Sequence, residues 1–471
     1  MKSNLSMTQQ TKRRPQAFCV SLVVLLLLIS AVPSLTAQTP KNPAPTQTRL
    51  VVRDSLGLSN LLNLCSLIHC SGVLSLGDPQ GQLFMIQIPS QLAPVTSLLN
   101  LSILGIITIE TDQTVQTQGA TATGVPSYLT DKAPFSYYGA TVWHGYVFQP
   151  GNQLIRTDAT HTAFNTAGSG VTVADIDTGV DPNHPVLKAA LVTGYDFTRN
   201  QSGGSEMSDV SQSTVAVLDG DKIAQVSQST VAVLDQSTVA VLDGNGYEAF
   251  GHGTMTAGII HLAAPQAKIM PLKAFQANGT GYNSDILRAI YYAVGHGAKV
   301  INMSFNYSNY SQELANAINY ATAQGVICVA AAGNSGAQAT VYPAALKNVI
   351  DVASTSNYDV PSTFSNYGAP PVWLAAPGEG VMTTYPFGTY AAGWGTSFSA
   401  PYVSGTVALL ASQSVAAKTG LLSLLPATTG SEAQMAAALT HTQALSDPQM
   451  GHGRLDTYQA TQAWRKTLGL K

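Results

Sequence analysis

From Gly170 onward, short apolar and β-branched runs alternate with segments of helical spacing, and this alternation constrains the fold more than any other feature. Residues 171–176, 268–275, 299–303 and 326–331 read as strands. Between them, Ser284 is placed to cap a helix whose Ile286, Leu287, Ile290 and Val294 share one face, and residues 313–324 form another. The predicted fold class is therefore α/β, a mainly parallel sheet with helices on both faces. In such sheets, function collects at the carboxyl ends of the strands.

Three polar strings fall at such positions. The strand at 171–176 delivers Asp177, and Gly179 lets the chain turn sharply after it. An apolar-D-T-G string also marks aspartic peptidases, where two such carboxylates share a proton. The chain has a single D-T-G, so that reading needs a dimer. Gly251-His252-Gly253-Thr254 leads into Met255-Thr256-Ala257-Gly258, a buried helix with His252 at its start. Of the nine histidines, His69, His144 and His161 precede the sheet domain. Gly395-Thr396-Ser397-Phe398-Ser399-Ala400-Pro401 leads into a long apolar helix. Ser397 then sits where its own N–H and the helix dipole face a developing oxyanion. Pro401 is tolerable in an early turn.

Taken together, D-T-G, G-H-G-T-x-x-A-G and G-T-S-x-x-x-P, in that order, resemble the subtilisin family of serine peptidases. A fourth element, Ala330 to Gly336 (A-A-A-G-N-S-G), and G-x-G-R-x-D at 451–456 extend the resemblance over roughly 151–464. The resemblance implies a serine endopeptidase with Asp177, His252 and Ser397 as catalytic triad, and Asn334 as oxyanion donor beside the Ser397 N–H. Substrate would bind as an added strand, with Gly279, Thr280 and Gly281 on one side. Ser304, Phe305 and Asn306 would form one wall of the primary pocket, with Ala331, Ala332 and Gly333 opposite. Family members usually carry glycine where Asn306 stands, which makes this rim narrower or more polar. They often have His-Val at Met255-Thr256. No cofactor is required for the chemistry. Structural calcium is possible, but residues 261–265 leave no room for the loop that often holds it after the histidine helix.

The N-terminal region divides further. Lys12, Arg13 and Arg14 precede an apolar run of about 15 residues, short of the ~20 that cross a bilayer as a helix. Residues 1–37 therefore read as a cleaved signal peptide and the chain as secreted, without a stable membrane anchor. Residues 38–48 read as a linker, 49–117 as a compact α+β module, and 118–150 as a second linker holding a processing site. Residues 151–468 read as the peptidase domain. In the module, strands are predicted near 50–52, 83–88 and 103–110, and helices at 56–68 and 90–99. By resemblance the module is an inhibitory pro-domain. Of four cysteines, Cys19 leaves with the signal, Cys65 and Cys70 are close enough to pair, and Cys328 reads as a buried free thiol.

An octapeptide, Q-S-T-V-A-V-L-D, occurs three times within 212–243 and reads as a tolerated duplication in a surface loop. A formal net charge of −3 offers no electrostatic ground for a nucleic-acid partner. The expected partners are protein or peptide substrates and the chain's own pro-domain as intramolecular inhibitor. Two rival readings remain: an aspartic peptidase resting on Asp177, and a catalytically silent binding protein that keeps the fold.

Overall fold

The computed structural model describes residues 47–93, 105–117, 126–210, 231–233, 247–368, 372–419 and 432–470. The signal reading at 1–37, all but the last two residues of the linker expected at 38–48, and most of the repeats lie outside the described residues. The chain divides into two compact units, residues 1–113 and 114–471.

The smaller unit comprises β1 (Gln47–Asp54), α1 (Leu58–Ile68), β2 (Ser71–Ser75), β3 (Leu83–Pro89) and β4 (Ile106–Thr111). The strands form an antiparallel sheet in the order β2-β3-β1-β4. Two-residue alternation puts Leu50 and Val52 of β1 on the same face as Phe84, Ile86 and Ile88 of β3. That face buries Leu61 and Cys65, which are four apart on α1 and so share one side of the helix. A disulfide joins Cys65 to Cys70. The sequence does not announce β2, whose Ser71-Gly72 start lacks β-branched residues. The helix expected at 90–99 begins as one 3₁₀ turn at Ser90–Leu92, and residues 94–99 lie outside the described residues.

The larger unit opens with β5 (Thr114–Gln116), the hairpin β6 (Pro134–Tyr137) and β7 (Ala140–Trp143), and the short helices α2 (His144–Phe148), α3 (Pro150–Leu154) and α4 (Thr157–Phe164). Residues 127–150 are thus folded, where the sequence suggests a linker. Their Tyr- and Gly-rich composition resembles a linker, but two of the tyrosines are anchors. Tyr137 and Tyr146 are buried and donate their hydroxyls to Leu262 O (2.7 Å) and Gly258 O (2.6 Å).

Next come β8 (Thr172–Asp177), β9 (Tyr195–Asp196), β10 (Gln201–Ser202), β11 (Val231–Val233), α5 (His252–Ala263), β12 (Lys268–Lys273), β13 (Thr280–Tyr282), α6 (Asn283–Gly295), β14 (Val300–Met303), α7 (Gln312–Ala323), β15 (Ile327–Ala331), β16 (Val349–Thr355), β17 (Leu374–Pro377), β18 (Val381–Tyr385) and β19 (Thr389–Gly393). The chain closes with α8 (Thr396–Thr419), α9 (Glu432–Ala438) and α10 (Thr457–Thr467). An eight-stranded sheet runs β10-β9-β12-β8-β14-β15-β16-β17 and is parallel from β9 to β17. Two helix pairs, α5 with α8 and α6 with α7, cover this sheet, as the α/β reading expects. Ser284 is not the cap of α6: β13 runs straight into the helix, whose N-cap is Tyr282. Ser311 does cap α7, accepting from Leu314 N at 3.0 Å. Part of the second octapeptide copy forms β11, pairing antiparallel with β19.

Trp464 is fully buried on α10, and its Nε1 donates to Leu410 O of α8 at 2.7 Å. Trp464→Ala removes both the packing and the donor. It should cost about 3–5 kcal/mol, read as a lowered urea midpoint at unchanged slope.

Candidate active site

The strand β8 carries Asp177 at its carboxyl end, between its neighbours β12 and β14. Asp177 is buried, and its Oδ1 accepts the N–H of the next residue, Thr178, at 2.7 Å. His252 opens α5, and the two glycines beside it answer to close contacts. A Cβ on Gly251, which has φ 90°, would lie 2.4 Å from the Tyr385 ring; one on Gly253 would lie 2.1 Å from Gly179 O. With glycine at both places, α5 presses against the turn after β8. His252 Nδ1 then reaches Asp177 Oδ1 and Oδ2 at 2.7 and 2.9 Å.

Burial alone would push the His252 pKa down. The charge and hydrogen bond of Asp177, with Asp175 and Glu206 adding to them, reverse that and hold it above the ordinary imidazole value. Other buried histidines go the opposite way. Burial pushes His261 down to about 4 and lowers His161 and His184, so these stay neutral.

Ser397 is the second residue of α8. Its ring neighbour Phe398 lies 5.6 Å, centroid to centroid, from the His252 imidazole. His252 Nε2, the nitrogen facing away from Asp177, is buried without a hydrogen-bond partner. The Ser397 hydroxyl is turned instead to Ser304 O, donating at 3.0 Å. Serine–imidazole contacts of this kind commonly tighten only when substrate is bound.

The first turn of α8 explains the return bond. An uninterrupted helix would satisfy Ser397 O with the N–H of residue 401, which is proline and has none. Ser304 Oγ supplies the missing donor at 2.9 Å. Asn334, after the carboxyl end of β15, accepts from Thr396 N (2.8 Å) and Thr396 Oγ1 (2.9 Å) through Oδ1. An N–H can only point at the amide oxygen, so the amide is fixed with Nδ2 as its other end.

Around this centre, β13 pairs antiparallel with β5: Thr280 faces Gln116, Gly281 faces Val115 and Tyr282 faces Thr114. Thr117 N donates to Gly279 O at 2.8 Å, and Gln116 also bridges Asn306. An extended segment of the chain thus lies between residues 279–282 and Asn306. Asn306 is buried, and a Cβ on Gly333 would lie 3.4 Å from its Nδ2, so the two segments expected to wall a pocket face each other. Phe305 is buried against Phe275, ring centroids 4.9 Å apart, and packs in the core rather than lining the rim. Ala331 and Ala332 are buried, and Ala332 O accepts from Asn366 Nδ2 at 2.9 Å.

The connection from α5 to β12 spans only residues 264–267. Among the described residues, no cluster of three or more His, Cys, Asp or Glu side chains is placed to hold a metal. No helix among them is long and apolar enough to cross a membrane.

Sequence reasoning missed Glu206. Its buried carboxylate accepts from Gly251 N (2.7 Å), Thr178 Oγ1 (3.2 Å) and Thr254 Oγ1, tying the turn after Asp177 to the start of the His252 helix. Burial pushes its pKa up to about 8. A lone glutamate within Gly203-Gly204-Ser205-Glu206 carries no signal of this role.

Residues 168–464 match the Subtilase family. The thermophilic serine proteinase of Bacillus sp. (strain AK1) is 35% identical over 275 residues, 58% of this chain and 59% of that protein. Thermitase of Thermoactinomyces vulgaris is 37% identical over 256 residues, 52% of this chain and 76% of thermitase. Among solved structures, a lanthipeptide protease superposes with a TM-score of 0.52 at 25% identity, covering 67% of this chain and 94% of that one. Fervidolysin of Fervidobacterium pennivorans, a keratinolytic enzyme related to subtilisin, superposes with a TM-score of 0.64 at 21% identity, covering 90% and 62%. The fervidolysin likeness concerns the fold alone.

Ser304→Ala leaves Ser397 O buried with neither its helical donor nor its hydroxyl one. The expected loss is about 1–3 kcal/mol of stability, checked by denaturant unfolding, whereas Ser304→Thr keeps the hydroxyl and should lose less.

Proposed function

The chain belongs to the Subtilase family, and on that premise we propose that it is a secreted serine endopeptidase made as a self-processing precursor. The observation that carries this reading is the buried Asp177–His252 pair, 2.7 Å at its shorter contact, with Ser397 in the first turn of the adjoining helix. Ser397 Oγ attacks the scissile carbonyl while His252 Nε2 takes its proton and Asp177 stabilises the imidazolium. The tetrahedral oxyanion is met by Asn334 Nδ2 and the Ser397 N–H. Collapse returns the proton to the leaving amine and leaves an acyl-enzyme, which water hydrolyses by the same steps.

Substrate binds as an extended strand between residues 279–281 and Asn306. The pairing of Thr114–Gln116 at that position supports the precursor reading, because the chain's own segment then occupies the substrate's place. Residues 49–117 act as the inhibitory pro-domain, removed by a cut within residues 118–150. Export follows from the basic and apolar character of residues 1–37. The Ser397 hydroxyl bonded to Ser304 O favours one second reading, a silent binding protein that keeps the fold.

A serine-directed fluorophosphonate should label Ser397 in the matured protein, mapped by peptide mass, and the same protein should hydrolyse casein. No label and no hydrolysis after pro-domain removal would establish the silent reading. Purified Ser397→Ala should keep its N-terminal unit while the parent loses it, with N-terminal sequencing locating the cut. Because His252 is held above the ordinary imidazole range, its neutral, proton-accepting form is lost as pH falls through a value above ~6.5. The acid limb of kcat/KM should lie there, and Asp177→Asn should reduce kcat by about 10⁴-fold.

A further inference from the structure

A second polar layer lies directly behind the Asp177–His252 pair, displaced from it by one structural repeat on each element. Asp175 is two residues before Asp177 on β8 and therefore points to the same face, about 6.6 Å along the strand. Thr256 is four residues after His252 on α5, one turn on, about 6 Å along the helix. These spacings match, and strand and helix are joined by two rungs: Asp177 to His252, and Asp175 Oδ2 to Thr256 Oγ1 at 2.8 Å.

The layer continues to the serine. Asn302 stands opposite Asp175 in the β14–β8 register, and its Nδ2 donates to Asp175 Oδ1 at 2.9 Å and to Ser304 Oγ at 3.0 Å. Ser404, two turns beyond Ser397 on α8, donates to Asn302 Oδ1 at 2.9 Å. Ser304 Oγ completes the path to Ser397 O. Asp175, Thr256, Asn302, Ser304 and Ser404 are all buried. A single hub thus joins the elements that bear Asp177, His252 and Ser397.

We propose that Asp175 is a positioning residue for the triad, fixing the elements that carry His252 and Ser397 and adding a second buried negative charge that stabilises the His252 imidazolium. This rests on the triad reading above. Both Asp175 oxygens are hydrogen-bonded: Oδ1 accepts from Asn302 Nδ2, and Oδ2 pairs with Thr256 Oγ1, whose hydroxyl also lies 3.1 Å from Gly253 O. Burial and the neighbouring Asp177 charge push the Asp175 pKa up, while the hydrogen bonds from Asn302 and Thr256 and the His252 charge draw it back. The ionisable groups that face Asp175 are Asp177 on its own strand and His252 on α5; β14 and α8 present the uncharged Asn302 and Ser404. His252 also feels Glu206, and Lys273 beyond it is paired with Asp209 at 2.8 Å.

An ionised Asp175 makes His252 hold its proton more tightly, so removing that charge must lower the His252 pKa. The test uses Ser397→Ala protein, in which His252 can be titrated by NMR without self-digestion. Adding Asp175→Asn, which keeps size and polarity, should move the His252 titration down by about half a pH unit or more. In the active protein the same substitution should shift the acid limb of kcat/KM the same way and lower kcat about tenfold, with KM little changed. Thr256→Val keeps the shape and removes only the hydroxyl that favours the Asp175 charge; it should give a smaller shift of the same sign and guards against a misfolded Asp175→Asn. If both variants fold and the His252 titration stays in place, the proposal is overturned. Parent protein that fails to hydrolyse casein would instead overturn the triad reading, while the NMR titration still decides the role of Asp175.

Discussion

The site depends on how closely α5 can approach the turn that follows β8. That approach is a matter of hydrogen atoms standing where side chains would otherwise be: a single methyl at Gly253 would collide with Gly179 O. Because the helix comes so near, a carboxylate and an imidazole are brought together with water excluded, and their attraction is strong in the low dielectric that results. Glu206 secures the same junction from the other side, accepting from both the turn and the helix start. The remainder of the larger unit supports this contact, with Tyr146 clamping the helix through Gly258 O and α8 packing across it.

Much of this was legible in the sequence, for a physical reason. The central strands are buried on both faces, and burial demands β-branched, apolar runs that stand out from their surroundings. The small residues around His252 and Ser397 are equally visible, since close backbone approach admits few residue types. Asn334 also stands out within its small-residue string, and its amide is oriented by Thr396, the residue before Ser397.

What could not be read is instructive. Residues 127–150 look like a linker because tyrosine and glycine dilute the apolar pattern. Their contribution is made through hydroxyls that reach helix carbonyls far along the chain, and no local periodicity records this. Phe305 lies within a string expected to line a pocket, yet its ring packs in the core beside Phe275. Ser304 and Pro401 are nearly a hundred residues apart in sequence, and only the fold reveals that one supplies the donor the other lacks. Asp175 is one charge inside an apolar run, and its meaning requires knowing that Thr256 and Asn302 stand opposite.

The strand β11 has a further consequence. It is built from an octapeptide present in three identical copies, and its tie to β19 is made by backbone groups that any copy possesses. Loss or gain of one unit by unequal recombination of the coding repeat would change the length of the intervening segment while conserving the sequence that pairs. The number of residues here can therefore change by eight, the length of one abutting copy, without altering the sequence that pairs with β19.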